Sequence, residues 1–189
     1  MAGEFQLIGY LRLFAEHGVE YLIVGGVGAR LQGAATTTQD IDIMPDPNPA
    51  NLRRLAQALS YLSTEKKEAS SIHYETHDTV DPGEFRRADI SSFRTTLGVI
   101  DVLMDLPGVG TFDDVRQNAR RYEWEDVIIV VASLDDIITS KQTADRAKDW
   151  RAMDALEAAR DHLRDHPDGY ELSDSDLDVQ ADPDGESRE

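Results

Sequence analysis

The stretch from Tyr21 to Met44 constrains this chain more than any other. Tyr21-Leu22-Ile23-Val24 reads as a short apolar strand and runs straight into Gly25-Gly26. A helix-compatible stretch from Val27 to Gln32 follows. Then come Gly33, the threonines Thr36, Thr37 and Thr38, and a second strand, Asp40 to Met44, with two acids one residue apart. Side chains alternate between faces along a strand, so Asp40 and Asp42 point the same way. Adjacent carboxylates repel one another, and a divalent cation between them relieves the repulsion. A glycine pair leaves backbone N–H groups bare at a helix start, where an anion is welcome. The segment therefore reads as a phosphate-gripping turn feeding a metal-binding strand, and a triphosphate held there would share the cation. Thr38 is placed to touch a phosphate or to orient Asp40.

The acid pair means little by itself. The chain holds 24 aspartates among its 189 residues. Random placement would produce roughly 3 Asp-x-Asp pairs, and there are four, three of them in the acidic C-terminal stretch (Asp174-Asp176, Asp176-Asp178 and Asp182-Asp184). What sets Asp40-Asp42 apart is an apolar strand just after a Gly-Gly turn. The plain alternative is an exposed acidic edge strand.

A third acid, Asp101, sits inside the apolar run Gly98 to Met104. A buried carboxylate needs a partner or a metal. Three acids can hold two Mg²⁺ ions, one carrying a triphosphate and one lowering the pKa of an acceptor hydroxyl. The alternatives for Asp101 are the wet face of an edge strand or a salt bridge to Arg87 or Arg94. Asp105 is a weaker candidate on the same strand face. A second constellation is Lys141, Arg146, Lys148 and Asp149. Lysine is scarce, with four in the chain, so two in one short stretch stand out. A cation there suits triphosphate oxygens, and an arginine adds bidentate geometry. The rival reading is helix pairing, such as Lys141 with Asp145 at i, i+4.

VGGVGARLQGAATTTQDIDI resembles the signature of the nucleotidyltransferase superfamily to which DNA polymerase beta belongs, and more narrowly the AbiEii/MenT-type toxin branch. Gly25, Gly26, Gly33, Thr38, Asp40 and Asp42 fall in matching places. Gly28 stands where Ala is usual, and Thr36 where an Arg is common. The likeness covers roughly residues 5 to 163 and is strongest at this motif. It implies an enzyme using Mg²⁺ or Mn²⁺ to transfer NMP from an NTP to a hydroxyl acceptor. It implies catalytic roles for Asp40, Asp42, Asp101 and Lys141, with the three acids holding the metal. Triphosphate contacts are implied at Gly25, Gly26, Thr38, Lys141, Arg146, Lys148 and Asp149. It also implies a toxin of a toxin–antitoxin pair, acting on RNA such as tRNA, with a cognate antitoxin as partner. Two other readings remain: an antibiotic nucleotidyltransferase of the aminoglycoside type, and a silent NTP-binding module.

Charge bears on the acceptor. The formal net charge is −18, and residues 165 to 189 hold ten acids against one base. The rest of the chain is still acidic, which argues against a broad nucleic-acid surface, because phosphate binding rests on Lys and Arg. If the acceptor is RNA, the arginine doublets Arg53-Arg54, Arg86-Arg87 and Arg120-Arg121 are where it would bind. Cysteine is absent, so disulfides, thiol nucleophiles and thiolate metal sites are excluded. The longest apolar run, Val127 to Ala132, falls far short of the ~20 residues a bilayer needs. No basic-then-apolar leader opens the chain, and a cytoplasmic protein is expected.

Periodicity predicts a helix over 4–16, with Leu7, Leu11 and Phe14 on one stripe. Asn48 before Pro49 predicts a capped helix with Leu52, Leu55, Ala56, Leu59 and Leu62 inside. Residues 63 to 84 are polar and poorly patterned, with one short strand candidate at His73-Tyr74-Glu75. Strands are expected over 85–92, 95–104 and 127–131, and helices over 112–121, 134–144 (capped by Ser133 with Asp136 three residues later) and 147–163. The last helix should bury Trp150, Met153, Leu156 and Leu163. This order predicts an α+β fold, a nucleotidyltransferase-like mixed sheet with helices packed on one side and a helical C-terminal part. The expected division is a domain over 1–165 and an acidic, flexible tail over 166–189.

Overall fold

Residue alternation builds the sheet. In β1 (Tyr21–Val24), Tyr21 and Ile23 join one core while Leu22 and Val24 join another. The strand is therefore covered on both faces, which explains its unbroken apolar run. The computed structural model describes residues 5–62, 64–67, 74–77, 79–166, 172 and 174–177. His73, Tyr170 and most of the acidic tail lie outside the described residues.

Helix α1 (Leu7–Glu16) precedes β1, and α2 (Gly25–Arg30) follows it directly. Next come β2 (Asp40–Pro45), α3 (Pro49–Ser60), β3 (Thr64–Lys67) and β4 (Tyr74–His77). A 3₁₀ turn at Pro82–Arg86 leads into β5 (Ile90–Thr95) and β6 (Gly98–Leu103). The short pair β7 (Asp105–Leu106) and β8 (Gly110–Thr111) precedes α4 (Phe112–Asn118), β9 (Arg120–Trp124) and β10 (Val127–Val131). Helices α5 (Leu134–Ala144), α6 (Ala147–Arg151), α7 (Met153–Asp165) and α8 (Asp174–Leu177) are the last of the described elements.

Eight strands form one sheet in the order β4-β3-β5-β6-β2-β1-β10-β9. Two pairs are parallel, β1 with β10 and β2 with β6, and the rest are antiparallel, so the sheet is mixed. The first core lies on the face carrying Ile41, Ile43, Ile100 and Val102, under α1 and α3. Leu177 of α8 is buried in that core, and Leu172 packs against it. The second core lies on the opposite face, where α4, α5 and α7 cover Leu22, Val24 and Met44. These helices cover only part of that face, and the uncovered part holds the cleft described below. Among the described residues, no helix is long and apolar enough to cross a membrane.

Capping works as the side chains suggest. Asn48 accepts from the Ala50 N–H at 2.9 Å, and Ser133 from the Asp136 N–H at 3.1 Å. Several expectations are corrected. Residues 85–89 are not strand, because Asp81 caps a 3₁₀ turn that opens at Pro82 and buries Phe85. The hairpin turn falls at Thr96-Leu97 rather than at Phe93-Arg94. The stretch over 112–121 splits into α4 and β9, and β9 pairs with β10. The polar stretch from 63 to 84 contributes β3 and β4 at the sheet's edge. The long C-terminal helix breaks at Ala152, and Trp150 is 52% exposed instead of buried. Its indole N–H binds the Asp145 carboxylate at 2.8 Å, and that bond holds the ring outside the core.

Candidate active site

A cleft of about 700 Å³ opens on the uncovered face, between the ends of β1, β2 and β6 and helices α5 and α6. Its walls include Gly25, Gly26, Thr38, Asp40, Asp42, Asp101, Lys141, Arg146 and Asp149. Asp105, the weaker candidate, is not among them and stands exposed in β7, and the side chain of Lys148 lies outside the described residues.

The three acids meet through strand register. β2 lies between β1 and β6, so Asp40-Asp42 is not on an edge strand. Asp42 is paired directly with Asp101 across the parallel β2–β6 ladder, and Asp40 with Val99. The intervening Ile41, Ile43, Ile100 and Val102 are fully buried on the other face. Asp40, Asp42 and Asp101 therefore share the cleft face. β6 is also interior, and Arg87 pairs with Asp81 at 2.9 Å, which disposes of a bridge from Arg87 to Asp101.

The glycine turn is shaped around Asp42. Gly25 has φ +60°, and a Cβ built on it would stand 1.9 Å from Asp42 Oδ2. Only glycine meets both demands, the left-handed backbone and the missing Cβ. The Gly26 backbone N–H donates to the Asp42 carboxylate. A Cβ on Gly26 would meet Thr38 at 2.9 Å. Thr38 Oγ1 in turn donates to Asp40 Oδ1 at 2.8 Å, so Thr38 orients Asp40. On the far side, Ser92 Oγ donates to Asp101 Oδ1.

Asp42 is pushed up to about 7, mainly by burial, then by the charges of Asp40 and Asp101. Lys141 and the Gly26 N–H oppose the rise. Negative charge is thus in excess at the sheet end of the cleft. The nearby ammonium is already engaged: Lys141 Nζ lies 3.0 Å from Asp149 Oδ1, and Arg146 Nε 2.7 Å from Asp149 Oδ2. Asp149 is 1% exposed. Burial raises its pKa, but the hydrogen bonds and charges of Arg146 and Lys141 outweigh that and hold it below the usual carboxylate value. Lys141 therefore pairs with Asp149 rather than with Asp145. Asp145 instead ends α5 in a left-handed turn at φ 48°.

Among the described residues, no three His, Cys, Asp or Glu side chains are arranged to hold one ion by themselves. The donors are all hard carboxylate oxygens, and Asp40 and Asp101 place like charge beside the buried Asp42. That set fits Mg²⁺ or Mn²⁺ bound through one or two carboxylates, with substrate phosphates and water as the other ligands.

Sequence reasoning missed the cleft's other flank. Ile90 on β5 faces Leu103 on β6 in register, and both line the cleft with Leu106 and Pro107. Ile90 is 46% exposed, unusual for an isoleucine and reasonable beside a bound molecule. Ser92 was missed as well. Counting outward from a tight turn at Thr96-Leu97 would have placed it opposite Asp101. The arginine doublets do not line the cleft.

No family model matches the sequence, and no curated protein matches it. Solved structures do match by shape. The lincomycin-bound lincosamide antibiotic adenylyltransferase LnuA superposes with a TM-score of 0.57 at 15% identity, covering 83% of this chain and 99% of the other. The ANT(2")-Ia complex with adenylyl-2"-tobramycin has a TM-score of 0.48 at 14% identity, over 83% of this chain and 94% of its own. The superposition on LnuA shows that this chain has the fold of a nucleotidyltransferase.

Proposed function

We propose that the protein is a Mg²⁺- or Mn²⁺-dependent nucleotidyltransferase that moves NMP from an NTP to a hydroxyl acceptor and releases pyrophosphate. The observation that carries this reading is the register pairing of Asp42 with Asp101, with Asp40 on the same face, in a cleft that also holds Gly25, Gly26 and Lys141. The catalytic unit is residues 1–165, with the acidic 166–189 appended, and an NTP substrate goes with a cytoplasmic site of action.

The acceptor oxygen attacks the α-phosphorus, the bond to the β-phosphate oxygen breaks, and pyrophosphate leaves with the electron pair. Asp101 takes the side of the acceptor and receives its hydroxyl proton. Lys141 and Arg146 face the triphosphate across the cleft. One or two of Asp40, Asp42 and Asp101 would hold each cation, together with substrate phosphates and water, and the cation would supply neutralisation of phosphate charge and a lowered pKa for the acceptor hydroxyl. Positioning and charge neutralisation carry most of the rate in phosphoryl transfer.

The resemblance to AbiEii/MenT-type toxins favours RNA such as tRNA as acceptor and an antitoxin as partner. A specific observation favours a second reading, a small-molecule acceptor as for an antibiotic nucleotidyltransferase. Among the described residues, the flank beside Asp101 offers the apolar side chains of Ile90, Leu103, Leu106 and Pro107. Incubating the protein with α-labelled NTPs and Mg²⁺, with total RNA or tobramycin, tests both. Transfer that Asp40→Ala abolishes is expected. Equal transfer by Asp40→Ala, or NTP binding without pyrophosphate release, defeats the enzymatic reading.

A further inference from the structure

Each of the three cleft carboxylates is tied to a hydrogen-bond donor from elsewhere in the chain. Thr38 holds Asp40, the Gly26 N–H holds Asp42, and Ser92 holds Asp101. The first two donors belong to the glycine–threonine segment that announces the site. Ser92 belongs to β5, one strand farther from Asp42 than Asp101 is, and stands directly opposite Asp101 in the antiparallel β5–β6 pair. We propose that Ser92 is a positioning residue whose hydrogen bond to Asp101 Oδ1 orients that carboxylate toward the cation and the acceptor hydroxyl.

Torsional freedom in the aspartate and side-chain alternation along β5 give Ser92 this role. The terminal torsion of an aspartate is broad and roughly two-fold, so a backbone position alone does not aim its oxygens. One directional hydrogen bond to Oδ1 does. Ser92 points to the cleft face, because Ser91 and Phe93 on either side of it are buried on the other. Serine is a weak strand former, and an apolar or β-branched residue would suit the bare packing better. The hydroxyl at this position is thus explained by its partner. Donors behind metal-binding side chains set the orientation of those side chains, and removing one typically weakens metal affinity or activity about 10- to 100-fold.

The proposal rests on the catalytic reading of the cleft, and its test separates the two. Mn²⁺ is titrated by calorimetry into wild type, Ser92→Ala, Ser92→Thr, Ser92→Val, Asp101→Ala and the Ser92→Ala/Asp101→Ala double variant, each with a non-hydrolysable ATP analogue. Thermal melts verify that each is folded, and kcat and KM are measured beside them. Ser92→Ala and Ser92→Val should bind Mn²⁺ about 10- to 100-fold more weakly and lose a similar factor in kcat, with the KM for NTP changed less than about 3-fold. Ser92→Thr, which differs from Ser92→Val by one hydroxyl, should stay within about 3-fold of wild type. Adding Ser92→Ala to Asp101→Ala should weaken binding no further. Wild-type Mn²⁺ affinity in the folded Ser92→Val variant, or a full further loss in the double variant, overturns the proposal and leaves the catalytic reading standing. Absence of Mn²⁺ binding by wild type overturns both.

Discussion

The Asp42 carboxylate occupies the space that a side chain on Gly25 would need, with Oδ2 only 1.9 Å from the missing Cβ. The turn and the acid are therefore one device. Gly25→Ala must either push Asp42 away or unwind the φ +60° turn. The expected result is a stability loss of about 1–2 kcal/mol from the backbone strain alone. Pyrophosphate release should fall at least as far as in Asp42→Ala. A variant that melts and turns over like wild type would disconnect the glycine from the acid.

Asp42 makes the metal-free protein sensitive to pH. Its folded pKa is raised to about 7 from an ordinary 3.8. A carboxyl raised on folding contributes stability that is fully present below the unfolded value and is lost as pH rises through the folded one. Between about pH 4 and pH 7 the metal-free chain should therefore lose on the order of 4 kcal/mol of stability. Asp42→Asn should flatten this slope. Chemical denaturation at a series of pH values in a chelating buffer measures both.

Cation binding should then release protons. Asp42 is partly protonated at neutral pH, and a metal takes the ionised form. Calorimetry in buffers of different ionisation enthalpy should report proton release near pH 6.5 that disappears in Asp42→Asn.

Asp149 should matter more to the cleft's cations than its position suggests. Both its oxygens are committed, one to Lys141 and one to Arg146, and it is buried. Asp149→Ala would remove the carboxylate that Lys141 Nζ holds at 3.0 Å, with the lysine side chain only 17% exposed. We expect a stability loss of about 2–3 kcal/mol and a raised KM for NTP. Because the folded pKa of Asp149 is lowered, its contribution is present above the unfolded value and fades on acidification through the folded one. Urea melts at neutral and acidic pH should show the variant's deficit shrinking at the acidic end.

Trp150 should be nearly dispensable for the core. It is half exposed and tied to Asp145 by one hydrogen bond. Trp150→Phe should cost about 1 kcal/mol or less, whereas Leu156→Ala, at a fully buried position, should cost about 2–5 kcal/mol. Comparable losses for the two would contradict the placement of the ring.

Local rules made part of this molecule legible in advance. Period-two alternation put Asp40 and Asp42 on one face, and the structure keeps them there. The side chains of Asn48 and Ser133 marked two helix starts, because a cap needs only a few neighbouring residues. Trp150 was misplaced because a helical stripe does not reveal a break, and the break at Ala152 turns that residue outward. The first two residues of β9, Arg120 and Arg121, were read as helix and the rest as no element, because the segment carries mixed charge and has no strand identity until it pairs with β10.

By itself, the sequence settled what depends on near neighbours: which faces Asp40 and Asp42 share, where helices α3 and α5 start, and that a glycine pair precedes the acids. The tertiary structure alone decided that β2 and β6 are interior, that Asp101 stands beside Asp42, that Ser92 backs Asp101, and that Asp149 claims Lys141 and Arg146. The division has a physical cause. Periodicity and capping act within a turn or two of chain, whereas strand order and register follow from burying two apolar faces at once, and no short window of sequence carries that balance.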